Sequence, residues 1–316
     1  MLKFRVLLLA ILLNILCLNV IYGKKDQTNI PVDQERLTRD VQALTSILPH
    51  RNYKHLKSLN RAARYIFSEL KKNNPHVIYQ PFKVKDNEYK NIIVTFNKEK
   101  KERLVVGAHY DVCGNQPGAD DNGSGVAALL ELSRMVSQLK PHLSHRLDLV
   151  AYTLEEPPFF RSDYMGSAVH ARSLSKVKAK VLCMISMDMI GYFARRKGTP
   201  SYRSVLYKDE YANSPNTTAV IGLNDHKKMA ERIARIMDIS SKIEVIPLFG
   251  PRTTLAIDFS DHLNYWNNGY PAVMLSNIFI SSNPYYHSKQ DTIDLLDFSK
   301  LAEVVKGMYA VVTSKW

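Results

Sequence analysis

Histidine and carboxylate side chains fall, in this 316-residue chain, where apolar runs meet turn-forming residues. His109 and Asp111 close the run LVVGAH and its turn, and Asp120 and Asp121 lie in the Gly/Pro/Asn-rich loop that follows. Glu155 and Glu156 end RLDLVAYTL, Asp188 ends VLCMISM, and His287 sits in the turn-rich YYHSKQD. Imidazole nitrogens and carboxylate oxygens are donors zinc accepts, and a hydrolytic zinc site keeps one coordination position open. Two ions about 3.5–4 Å apart can share a carboxylate, which calls for one bridging acid and about two private donors per ion. His109, Asp120, Glu156, Asp188 and His287 are candidates in that number, which leaves Glu155 as a base. Taken singly, each has a plainer role: Asp120 as a turn residue, Asp188 as a cap, His287 as a loop histidine.

Positioning such a set takes strands that stop together. The apolar spacing predicts helices at 32–48, 59–72, 124–139, 168–175, 225–237, 260–267 and 298–313, with Asp33 capping the first and Asn122 or Ser124 the third. Runs rich in Val, Ile, Tyr and Phe predict strands at 76–84, 89–96, 104–108, 146–153, 180–187, 217–223, 243–247 and 271–276. Strands alternating with helices over most of the chain imply an α/β fold, a three-layer α/β/α sandwich around a mostly parallel, mixed sheet. The stretch 198–216 is turn-rich, and no linker or repeat divides the chain, so residues 24–316 read as one domain.

The segments GAHYD, PGADDNGSG, the EE pair with a following MGS, MISMDMIGY, SDH with GYPA, and YYHSKQDT occur in that order. Together they resemble the secreted co-catalytic zinc aminopeptidases of the bacterial leucyl aminopeptidase, aminopeptidase S and aminopeptidase Y type, relatives of the glutaminyl cyclases. The resemblance spans roughly residues 35–313 and implies the zinc-exopeptidase (phosphorylase/hydrolase-like) fold and two zinc ions per chain. It implies His109 and Asp188 on one zinc, Glu156 and His287 on the other, and Asp120 bridging them. Asp111 is then expected to hold the far nitrogen of the His109 imidazole. Glu155 is expected to take the proton of the zinc-bridging water and pass it to the leaving amine. Asp121 is expected to fix the loop or the helix start, and Asp261 and His262 to support the substrate pocket. The insertion PPFFRSDY after Glu156 departs from the compact turn of the family, and Phe159 and Phe160 either line the pocket or pack on the sheet. The function implied is removal of N-terminal residues from peptides or proteins. Glutaminyl-peptide cyclisation on the same scaffold, or a non-catalytic peptide-binding relative, are the alternatives; a dipeptidase lacks its insert or second domain here.

Composition bounds the setting. Hydrophobic residues at 45% suit a packed core. Lys3 and Arg5 precede an apolar run that closes by Gly23, the layout of a secretory signal peptide, with a retained anchor as the other reading. The protein is expected to be exported, periplasmic or secreted, and to meet a membrane only if that segment stays. Its removal takes the formal charge from +13 to +11, but the lysines are scattered without a stacking-aromatic pattern, so no nucleic-acid partner is expected. Of the three cysteines Cys17 lies in that segment, and the remaining Cys113 and Cys183 are too few for a disulfide scaffold; they either pair once or stay free, with Cys183 as a core thiol.

Overall fold

Near-continuous apolar runs mark strands buried on both faces, and two such runs, β3 (Glu102–His109) and β5 (Lys180–Met187), form the centre of an eight-stranded sheet. A computed structural model describes residues 32–193, 216–277 and 283–316. The expected signal segment and most of the turn-rich stretch at 198–216 lie outside them. Around β3 and β5 stand β1 (Val77–Val84), β2 (Asn87–Phe96), β4 (Arg146–Tyr152), β6 (Thr217–Leu223), β7 (Glu244–Gly250) and β8 (Ala272–Ser276), in the order β1-β2-β4-β3-β5-β8-β6-β7. β4, β3, β5 and β8 run parallel, while β1–β2, β2–β4 and β6–β8 pair antiparallel. The sheet is mixed, as expected.

The helices are α1 (Gln34–Thr45), α2 (Leu56–Asn73), α3 (Gly125–Leu139), α4 (Gly166–Lys176), α5 (Lys227–Ser240), α6 (His262–Asn267) and α7 (Phe298–Thr313). Asp33 caps α1 by accepting from Arg36 N, and Asp297 caps α7 by accepting from Lys300 N. At α3 the capping acceptor is Asn122 Oδ1, which takes Gly125 N at 3.0 Å. Helices α1, α2, α3, α5 and α7 contact one another as one layer, and α4 packs with α6 as another. The α4/α6 side carries the core of Val105, Val150, Tyr152, Met184, Ile221, Leu248 and Met274, inward residues of their strands, with Tyr265 of α6 packed on them. No helix among the described residues is long and apolar enough to cross a membrane. Cys113 and Cys183 are both free, and Cys183 is buried in β5.

Candidate metal centre

Ligands of an open α/β sheet gather outside the carboxyl ends of its parallel strands, and here three such ends supply the polar cluster. β3 ends on His109, which is in register with Tyr152 of β4. The chain leaves β4 through Leu154, whose φ of 60° turns it left-handed, and delivers Glu155 and Glu156 into the same crevice. β5 runs into Asp188, whose N–H continues the ladder by donating to Leu275 O at 3.0 Å. Asp111, just beyond β3, accepts from Glu155 N and Glu156 N, both at 3.2 Å. Its carboxylate stands 3.7 Å from His109 Nδ1, and its carbonyl meets that nitrogen at 3.2 Å. One aspartate thus ties the imidazole to the glutamate pair.

The two adjacent aspartates, of which Asp120 is the one expected nearest the metals, point in different directions. Asp121, not Asp120, lies between the imidazoles: Oδ1 is 3.2 Å from His109 Nε2, and Oδ2 is 3.1 Å from His287 Nε2. The Asp120 carboxylate turns away and accepts from Gly191 N at 2.9 Å, Tyr192 N at 3.0 Å and Asn283 Nδ2 at 3.2 Å. Backbone geometry separates them, because Asp121 is extended (φ −105°, ψ 93°) and neighbouring side chains on extended backbone point to opposite sides. The following Asp121-Asn122 peptide is cis.

Asp291 and Arg51, which no local sequence signal marks, hold this loop. Asp291 accepts from Asp120 N and Asp121 N, each at 3.0 Å. Arg51 is fully buried, and its guanidinium donates to the carbonyls of Tyr110, Pro117 and Gly118. Burial lowers the Arg51 pKa to about 10, with Asp291 and Asp121 opposing, so it stays cationic beneath the acids. At Gly118 (φ 62°) a Cβ would come within 2.4 Å of Asp121 O, which explains the glycine in PGADD.

Electrostatically the crevice is short of positive charge. Burial raises Glu155 well above the usual carboxylate range, and Glu156 and Asp188 add repulsion. Glu156 is pushed up to about 8 by burial and by Asp121. Burial alone would lower both imidazoles, but the carboxylates around His109 and His287 raise them. Asp121 is held low despite burial, because both histidines face it. Glu156 Oε1 is buried with no partner, while Oε2 is 3.0 Å from His287 Nε2. Donor atoms of His109, Asp121 and Asp188 lie within 4.8 Å of one another, as do those of Cys113, Glu156 and His287. Oxygen and nitrogen donors converging on a buried, anion-rich crevice with an orphaned carboxylate oxygen fit a divalent cation such as zinc.

The crevice holds about 190 Å³ and its remaining wall includes Phe160, Met189, Phe259, Met274 and Tyr286. Phe160 therefore lines it, whereas Phe159 packs edge-on against Tyr53. Tyr286 stacks on His287 with ring centroids 3.8 Å apart. Asp261 and His262 are buried but do not line the crevice; burial raises Asp261 to about 7 and lowers His262 to about 4. A larger open groove of about 770 Å³ between α2, β2 and α3 has Asn, Lys and His on its walls, Glu99 as its single acid, and no such cluster.

Residues 91–312 match the sequence profile described as Peptidase family M28. YfbL of Escherichia coli strain K12, an uncharacterized protein, is 36% identical over 286 residues, covering 88% of this chain and 87% of YfbL. A probable leucine aminopeptidase of Trichophyton verrucosum is 29% identical over 298 residues, covering 89% of this chain and 73% of its own. Among solved structures, LapB of Legionella pneumophila superposes with a TM-score of 0.72 at 23% identity, covering 91% of this chain and 74% of LapB. A glutaminyl cyclase of Bacteroides thetaiotaomicron gives 0.67 at 18% identity, covering 91% of this chain and all (100%) of the cyclase. At those identities the two structures speak to the fold.

Proposed function

This chain belongs to peptidase family M28, a zinc-dependent peptidase on that ground, and we propose that it is an exported aminopeptidase with two zinc ions. The observation that carries the count is Asp121, whose two oxygens reach the two imidazoles on opposite sides. Asp121 takes the bridging place expected of Asp120; His109 and Asp188 would hold one ion, Glu156 and His287 the other. Bound there, zinc supplies Lewis acidity toward the scissile carbonyl and makes water easier to deprotonate.

The chain's own residues do the rest. Glu155, with a carboxylate oxygen 3.9 Å from His109 Nε2 and a raised proton affinity, takes a proton from the attacking water and hands it to the leaving amine. Asp111 positions both Glu155 and the His109 ring. The acidic crevice suits a free α-ammonium group, and the Phe160, Phe259 and Met274 wall suits an apolar first side chain. Its volume of about 190 Å³ is below the roughly 300–1,000 Å³ of a drug-sized site, which favours one terminal residue over a chain running through.

Purified protein should hydrolyse aminoacyl chromogenic amides, stop with chelator and recover with zinc. Glu155→Ala should lose ~10²–10⁴-fold in kcat with its metal content unchanged; full activity in that variant overturns the base assignment. Glutaminyl cyclisation is the second reading, favoured by the fold likeness to the cyclase. A single metal per chain together with cyclisation of an N-terminal glutaminyl peptide would establish it in place of hydrolysis.

A further inference from the structure

The loop after β3 carries a thiol that the aminopeptidase reading does not use. Cys113 is held by its neighbours on both sides: Val112 N donates to Arg51 O at 3.2 Å, and Asn52 Nδ2 donates to Gly114 O. That anchoring brings the sulfur to within 4.8 Å of donor atoms of Glu156 and His287, which are themselves 3.0 Å apart. Independently, Glu156 Oε1 is buried without a partner in the same cluster. Cys183 does not compete for the thiol, because its own Sγ–H donates to Met184 O inside β5.

We propose that Cys113 is a protein donor to the metal on the Glu156–His287 side, which makes the two metal positions different in kind. The proposal rests on the two-metal reading above. Donors about 2.0–2.3 Å from a shared tetrahedral zinc stand roughly 3.3–3.7 Å apart, so groups within 4.8 Å of one another meet it by side-chain shifts of about an ångström. On binding, the S–H bond breaks, the sulfur–metal bond forms and the proton leaves to solvent. Cys113, Glu156, His287 and one Asp121 oxygen then give four protein donors that include a soft sulfur, with water as a fifth. His109, Asp188 and the other Asp121 oxygen leave a coordination position free. Thiolate favours zinc and other soft ions over magnesium or manganese, so the sulfur-bearing position fills first with such an ion.

Full-length protein is stripped with chelator and titrated with cadmium chloride, with sulfur-to-cadmium charge-transfer absorption and calorimetry recorded together. The absorption should saturate at one equivalent, the second ion should bind without adding to it, and Cys17→Ser and Cys183→Ser should each behave like wild type. In Cys113→Ser the band should vanish and zinc affinity at that position should fall at least about tenfold. Alkylation of Cys113 by iodoacetamide should slow at least about tenfold when zinc is bound, a readout that needs no variant to fold. Two bound cadmium ions without a thiolate band, a band that survives Cys113→Ser, or unchanged alkylation each overturns the proposal. A chain that binds no metal overturns the metalloenzyme reading itself.

Discussion

Asp120 and Asp121 share a side chain and a loop, yet they act through different atoms. Asp121 offers one oxygen to each imidazole, and Asp120 spends its carboxylate on two backbone N–H groups and Asn283. Asp121→Asn should therefore lose bound zinc and activity together, because its amide nitrogen faces an imidazole nitrogen with no charge to share. In Asp120→Asn one oxygen still accepts from Gly191 and Tyr192, but the amide nitrogen confronts the Asn283 donor. That variant should keep its metal count and lose about 1–3 kcal/mol of stability. Metal analysis beside urea unfolding checks the pair, and loss of zinc in Asp120→Asn alone would reverse the assignment. The resemblance places the bridge at Asp120; both are turn-compatible acids whose types do not separate them, and the extended backbone at Asp121 directs its side chain.

Helix α4 shows how an element away from the cluster is held to the sheet. His170 Nδ1 meets the Tyr265 hydroxyl at 2.6 Å, and Tyr265 meets the Tyr152 hydroxyl at 2.7 Å. Burial lowers the His170 pKa to about 4, with Asp148 opposing and Arg103 and Arg146 assisting. A histidine depressed in the fold keeps its full stabilising effect above its unfolded pKa near 6.5 and loses it as pH falls toward 4. Relative to His170→Gln, the wild type should lose roughly 3 kcal/mol between those limits. The crevice carboxylates titrate in both proteins and cancel in the difference. Urea unfolding of both at stepped pH measures it, and parallel curves would show that His170 titrates normally. Periodicity in the sequence placed this helix and its neighbours, because helices and strands follow from local apolar spacing; the tyrosine pair across β4 and α6 carries no local signal.

Across the whole molecule, the centre joins the ends of β3, β4 and β5 to the 119–124 loop and the segment around His287, with Arg51 and Asp291 behind them. An ion bound by all of these binds only the folded chain, so it stabilises by about 2.7 kcal/mol at a hundredfold excess over Kd. Melting should rise by roughly 4–6 °C with zinc at that level and fall back with chelator. In Glu156→Gln the zinc-induced rise should shrink, since one ion loses a charged donor and that glutamate's burial costs less as an amide. Differential scanning fluorimetry with and without zinc reads this, and equal rises in both proteins would remove Glu156 from the metal shell.

The order of the motifs determined the family, and the spacing of apolar residues determined an α/β sandwich whose strand ends carry the histidines and acids. Those properties are local: hydrophobic period, turn residues and side-chain type are written in a few neighbouring positions. Tertiary structure alone turned Asp121 rather than Asp120 toward both imidazoles, set Arg51 beneath the acids and brought Asp291 onto two N–H groups about 170 residues earlier in the chain. It also put Cys113 beside His287. In an irregular loop no period fixes where a side chain points, and its direction is set by partners that only the folded chain brings near.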